Sequence, residues 1–404
     1  MEYLINIYHF TQFTLFIWLG FCVLYIFVVS IAGIFFKQKN KVKKSRPLPK
    51  VALLIPAYKE NEVIIQTAKE ALKQGYHNFD VIVIADSIDA DALITLKALD
   101  IIVVEVSFEQ STKAKALNFT MEKLKDNYNL AVVLDADNIM HEGALSLIAN
   151  KYALGYNAIQ GHRTAKNQET GFSMLDAISE EMNNHFYCKG TQTIGLTSRL
   201  VGSGMAFDYQ LFKKIMKGID AVGGFDKVLE LELVDSGNPI HYLESAHIYD
   251  EKVSESEVFS NQRKRWISAQ FYYLKKYFWG SIWKLLNGKV DYFMKAAQLF
   301  FPPRMLFPVI LFLLLALALI SQDVFFSLVW GILLALIIFS YCVAIPKKLW
   351  TKELSMAALS LPKAIFVMIL AMFNLKGANK KFIHTPHSIR QVAPFKNKNH
   401  NKNN

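Results

Sequence analysis

The sequence predicts an α/β protein, with a doubly wound sheet carried between apolar helices that cross a membrane. Three observations point there. Through the middle of the chain, apolar runs of strand length alternate with helical stretches, the pattern of a parallel, doubly wound sheet. Long uncharged runs lie on both sides of that region. Hydrophobic residues make up 52% of the 404, too many for an ordinary soluble enzyme, yet 20% are charged, so the chain is not all membrane. A chain this apolar buries enough surface to order itself, which excludes disorder. Three cysteines exclude a disulfide scaffold, and no Cys/His pair has zinc spacing.

The first unit, residues 1–46, holds Phe10 to Phe36, an uncharged run long enough to cross a bilayer and too long for a signal-peptide core. Residues 37–50 follow with seven Lys/Arg and no acid, and residues 376–404 repeat that bias. Without these two segments the chain is slightly acidic. The charge therefore argues for anchoring beside anionic lipid on the cytoplasmic side and against a nucleic-acid partner. It places the N-terminus outside.

Residues 47–268 read as the cytoplasmic domain. Strands are expected at Val51–Ile55, Val81–Ala85, Ile101–Val106, Leu130–Leu134 and Ala158–Gln160, with helices over Glu62–Gln74 and Lys113–Asn127. Residues 269–303, rich in aromatics and lysines, read as helices at the membrane surface. Residues 304–346 form a transmembrane hairpin, Met305–Gln322 and Val324–Pro346, turned at Asp323. In 347–404, Pro362 and Lys363 interrupt the apolar run Ser355–Asn374, which is expected to be interfacial or re-entrant with a cytoplasmic tail behind it. This gives a multi-pass cell-membrane protein with three crossings.

Ligands of doubly wound sheets bind at the carboxyl ends of the strands. Three polar loops fall there: Pro56 to Glu60, Ala85 to Ser87, and Asp135 to Asn138. Asp135 and Asp137 at one strand end suit Mg²⁺ or Mn²⁺, with a ligand diphosphate completing the shell.

These residues carry a resemblance. Val51 to Glu60, Ile84-Ala85-Asp86, Lys113 to Asn118, Asp135-Ala136-Asp137, Gly202-Ser203-Gly204 and Gln262 to Trp266 occur in one order. That order resembles the membrane-embedded family-two glycosyltransferases of the cellulose, chitin and hyaluronan synthase type, over about residues 47–390. The resemblance implies a GT-A-type mixed sheet and a nucleotide-diphosphate sugar donor, usually a UDP-sugar. It implies that Ala57, Tyr58, Glu60, Asp86, Lys113 and Asp135 hold the nucleotide sugar, and that Asp135 and Asp137 hold the metal. Gly202, Ser203, Gly204, Gln262, Arg265 and Trp266 would meet the acceptor and the diphosphate.

The family's catalytic aspartate lies eleven residues before a glycine. Counting back from Gly237 reaches Asp226, preceded by Phe225 where an acid is usual, with Glu230 and Glu232 as rivals. The tail segment Phe382 to His387 partly resembles a gating loop.

The implied activity is inverting hexosyl transfer to a growing glycan, processivity being read from the Gln262–Trp266 motif and the flanking spans. The alternatives are single-sugar transfer to a lipid acceptor (polyprenyl phosphate or a glycolipid) and a non-catalytic sugar-nucleotide sensor. Three spans make a narrow channel, which leaves association of copies or an export partner open.

Overall fold

The computed structural model describes residues 2–38, 40–125 and 127–373. Eight strands form one sheet: β1 (Val51–Tyr58), β2 (Phe79–Asp86), β3 (Ile102–Val106), β4 (Leu130–Val133), β5 (Ile139–Met140), β6 (Ala158–Ala165), β7 (Met205–Asp208) and β8 (Ile240–Asp250). Their spatial order is β3-β2-β1-β4-β7-β6-β8-β5. The half from β3 to β4 is parallel, as the strand–helix alternation predicts. Beyond β4 the sheet is mixed. β7 runs antiparallel to both β4 and β6, and β5 runs antiparallel to β8. A wholly parallel sheet is therefore corrected, and the mixed sheet of the resemblance is found.

β1 sits between β2 and β4, so both its edges are paired, and a core layer covers each of its faces. Val51, Leu53 and Ile55 enter one core layer, and Ala52 and Leu54 enter the other. β1 continues past its expected end at Ile55 to Tyr58. Pro56 is tolerated because the ladder with β4 stops at Leu54, leaving one side of the strand without a partner.

Among the described residues, three helices are long and apolar enough to cross a membrane: Glu2–Ile34, Val324–Ala344 and Glu353–Phe373. The first two pack together. Trp330 Nε1 donates to Gln12 Oε1 at 2.8 Å, and Ser30 Oγ donates to the Ser340 carbonyl at 3.0 Å. Such polar ties hold helices where apolar burial gives no preference.

Two membrane expectations change. The first arm of the hairpin is helical only over Phe307–Ile320, 14 residues. That is about 21 Å of helix, short of a hydrocarbon core of about 30 Å. The expected break at Pro362 is absent: Glu353–Phe373 is one helix through the proline. It packs on the helices Gly171–Asn183 and Ser256–Leu286. A Cβ at Gly171 would meet Ser360 Oγ at 1.9 Å, so only glycine permits that approach. Lys363 lies over the Phe172 ring, 5.8 Å from its centroid.

The N-terminal helix reaches the sheet domain through a π-helical segment, Asn184–Gly190. A Cβ at Gly190 would lie 2.1 Å from the Val29 carbonyl, so the two backbones touch. The basic stretch after this helix is only partly available to lipid. Arg46 Nη2 donates to Asn157 Oδ1 at 2.7 Å, and Lys50 pairs with Asp80 at 3.0 Å.

Candidate active site

One cavity of about 580 Å³ opens beyond the carboxyl ends of the parallel strands, the volume of an ordinary ligand site. Ala57, Tyr58, Glu60, Asp86, Lys113, Asp135, Asp137, Gly202, Asp226, Gln262, Arg265 and Trp266 all line it. Residues from Ala57 to Trp266 thus meet at one place.

At the strand ends the backbone turns sharply. Lys59 (φ 58°) and Ser87 (φ 55°) are both left-handed, which costs a side-chain-bearing residue roughly 1–3 kcal/mol. The Lys59 N–H donates to the Asp86 carbonyl at 3.1 Å, joining the two turns. Asp86 is buried, and Ser87 Oγ donates to its Oδ1 at 3.1 Å. This paired geometry holds Tyr58, Glu60 and Asp86 at the mouth of the cavity.

Lys113 begins the helix after β3. Its Nζ pairs with Asp135 and donates to the Gly202 carbonyl at 2.7 Å. The Phe225 ring, where the family has an acid, lies 5.5 Å from the same ammonium. Asp137 is buried, and its Oδ2 accepts from the Glu251 N–H at 3.3 Å. Among the described residues no three His, Cys, Asp or Glu side chains gather as a metal cage. Two hard carboxylates on one short loop nevertheless suit a hard divalent cation whose shell is completed by ligand oxygens.

The Gly202–Gly204 turn divides. Gly202 faces the cavity, whereas Ser203 and Gly204 are not among the lining residues. Ser203 is fully buried and its Oγ accepts from the Asp135 N–H at 2.9 Å. The Gly204 N–H donates to the Val133 carbonyl at 2.9 Å. The reason is topological: the turn feeds β7, a central strand beside β4. Ser203 positions the aspartate loop, and neither Ser203 nor Gly204 is part of the cavity wall.

Asp226 occupies the first turn of the helix Phe225–Asp235, and Gly237 follows that helix with φ 75°. Its Oδ2 is 3.3 Å from Lys227 Nζ. Burial, then the nearby Arg199 charge, lowers the Lys227 pKa. The rivals are placed otherwise. Glu230 lines the cavity but is clamped by Lys295 at 2.7 Å, with both side chains buried. Glu232 points to solvent.

Gln262, Arg265 and Trp266 lie on the long helix Ser256–Leu286. Burial lowers the Arg265 pKa. Trp266 is half-exposed, and the guanidinium of Arg263 lies 4.4 Å from its ring centroid. Arg263 in turn pairs with Asp176. One indole face is thus occupied, leaving the other for a ligand.

Sequence reasoning missed a buried network on the β6–β8 side. Arg163 grips Glu180 with two bonds, at 2.8 and 3.2 Å, and Lys252 pairs with Asp250 at 2.6 Å and with Glu180 at 3.3 Å. Against the effect of burial, the Arg163 and Lys252 charges hold the Glu180 carboxyl well below the usual carboxylate range. These partners are separated by 17 and 72 positions, so no local motif announces them.

The mixed sheet, with carboxylates at its strand ends and an acid facing them across a cavity, defines a GT-A glycosyltransferase fold. A family model described as glycosyltransferase-like family 2 matches residues 49–269, and the chain belongs to that family. Among solved structures, the mannosyltransferase PcManGT from Pyrobaculum calidifontis, in complex with GDP-Man and Mn²⁺, has a similar fold. It aligns at 13% identity and TM-score 0.50, over 90% of this chain and 98% of its own. That coverage reaches past the sheet domain into the apolar helices. Glucosyl-3-phosphoglycerate synthase from Mycobacterium tuberculosis aligns over 51% of this chain and 72% of its own, at 14% identity and TM-score 0.35, too loose for argument. No curated protein matches the sequence.

Proposed function

We propose that this glycosyltransferase is a multi-pass membrane enzyme with a cytoplasmic catalytic domain. It moves a hexose from a nucleotide-diphosphate sugar, a UDP-sugar by the resemblance, onto a glycan acceptor at the membrane surface, with inversion. The observation that carries this reading is the cavity itself: Asp226 faces Lys113, Asp135 and Asp137, with Gln262, Arg265 and Trp266 beside them.

The steps follow from the side chains. Asp86, Tyr58 and Glu60 hold the nucleoside. Asp226 takes the proton of the acceptor hydroxyl as that oxygen attacks the anomeric carbon. The bond from that carbon to the diphosphate breaks, and Lys113 and Arg265 stabilise the departing charge. Trp266 offers its free face to the acceptor sugar and excludes water. Mg²⁺ or Mn²⁺, held by Asp135 and Asp137, supplies further charge neutralisation at the diphosphate when bound. The helix Glu353–Phe373 packs on the two helices that wall the cavity, which supports a position at the membrane surface despite its length. The gating-loop resemblance at Phe382 to His387 lies outside the described residues.

The test is incorporation from radiolabelled nucleotide sugars by the purified full chain, with the product sized. Chain extension gives a ladder, and transfer to a lipid acceptor gives one band. Absence of transfer from UDP- and GDP-sugars alike contradicts the proposal.

A further inference from the structure

The cavity changes character towards the membrane. Ile26 of the N-terminal helix, Phe301, Pro303, Met305 and Met368 line that end and give it an apolar wall. Two arginines lie at the transition and have no part in the transfer steps above. Tyr341, near the end of the apolar helix Val324–Ala344, donates to the Arg304 carbonyl at 3.1 Å, which ties Arg304 to that end of the helix. Arg199 lies between, close enough to act on the charge of Lys227 beside Asp226 and on that of Arg304.

Neither arginine has an acid partner among the described residues. Arg304 Nη2 donates only to neutral groups, Ser179 Oγ at 3.1 Å and Asn183 Oδ1 at 2.8 Å. Its Nη1 is buried without a hydrogen-bond partner. The Arg199 guanidinium lies 5.1 Å from the Tyr187 ring centroid. Burial lowers the Arg304 pKa, and the Arg199 and Arg263 charges add to that. Elsewhere in the cavity Arg163, Lys252, Arg263 and Lys295 each meet a carboxylate. A buried guanidinium without a counter-charge, with a second cation near it, is unfavourable, and a doubly hydrogen-bonded anion removes the penalty. Guanidinium geometry favours phosphate.

We infer that Arg304 and Arg199 hold a phosphate group of the acceptor, whose apolar tail lies along Ile26, Phe301, Met305 and Met368 and whose sugar hydroxyl reaches Asp226. The acceptor is then a phosphate-linked lipid carrying a sugar. A neutral glycan would leave both arginines uncompensated and set hydroxyls against an apolar wall. The inference rests on the proposed transfer to an acceptor at the membrane surface.

The experiment is calorimetric titration of the full chain, in nonionic polyoxyethylene detergent, with dodecyl phosphate, dodecanol and inorganic phosphate. Dodecyl phosphate is expected to bind at least tenfold more tightly than either other probe. Arg304→Gln should weaken it at least tenfold without changing dodecanol binding, and Arg304→Lys should recover most of the loss. If Arg304→Gln does not purify, Arg199→Gln reads the same site, with a severalfold loss expected. Equal affinity for dodecanol, or unchanged binding in these variants, overturns the inference. Inorganic phosphate binding as tightly as dodecyl phosphate overturns the lipid part. Titrating UDP and GDP into the same preparations reads the donor site separately. Failure there contradicts the proposed function and leaves the phosphate-site result standing.

Discussion

At the strand-end side of the cavity, cations and acids come in pairs: Lys113 with Asp135, Lys227 with Asp226, and Lys252 with Asp250. At the membrane side, Arg199 and Arg304 have no acid partner among the described residues. A desolvated charge needs a counter-charge, and a protein supplies one wherever its own residues must stay in place. Where none is supplied, the counter-charge comes with the ligand. We read the paired end as a preformed frame for the proposed donor, and the unpaired end as one that the proposed ligand completes.

The largest effect should come from the frame. Asp137→Asn, or chelation of divalent cations, should cost at least about 10³-fold in transfer, the several kcal/mol that metal neutralisation of a leaving diphosphate supplies. Yield and melting midpoint should hold. Full activity in EDTA would remove the metal from the account.

Next comes the buried network. Glu180→Ala leaves Arg163 without its two-bond partner and should cost about 3 kcal/mol of stability. Denaturant unfolding in detergent checks it, and a loss below about 1 kcal/mol would mean that Asp250 compensates fully.

A smaller effect is expected at the acceptor. Trp266→Ala should lower glycan product roughly ten- to hundredfold while slow release of nucleoside diphosphate from the donor continues. Equal loss of both would count against an acceptor role for the indole.

The smallest effect sharpens the comparison most. Arg304→Gln keeps a donor for Asn183 and removes an uncompensated charge, so its melting midpoint should hold or rise by a degree or two, unlike that of Glu180→Ala. A fall of several degrees would place Arg304 in a structural network like that of Arg163.

Much of the strand-end side was legible because Tyr58, Asp86 and Asp135 end or follow strands, and strands announce themselves by apolar runs. Asp86 and Asp135 could be placed at strand ends from their neighbours alone. That Ser203 and Gly204 lie behind the cavity wall was not legible, because the antiparallel course of β7 is not visible locally. Pro362 signals a helix break in isolation, but the Glu353–Phe373 helix is held through it by packing on Gly171 and Phe172. Arg199, Arg304 and the Arg163–Glu180 pair carried no signal, since their meaning lies in partners, present or missing, contributed by distant segments. Lys227 had one: it follows Asp226 directly.

In the proposed mechanism Asp226 removes the acceptor proton, while Lys113 and Arg265 act on the departing diphosphate. This role of Asp226 is tested most directly by measuring sugar transfer and nucleoside-diphosphate binding side by side, per mole of purified full chain, in wild type, Asp226→Asn and Glu230→Gln. Asp226→Asn is expected to lose roughly 10²–10⁴-fold in turnover with binding unchanged, and Glu230→Gln to keep measurable turnover. An active Asp226→Asn beside a dead Glu230→Gln would contradict it.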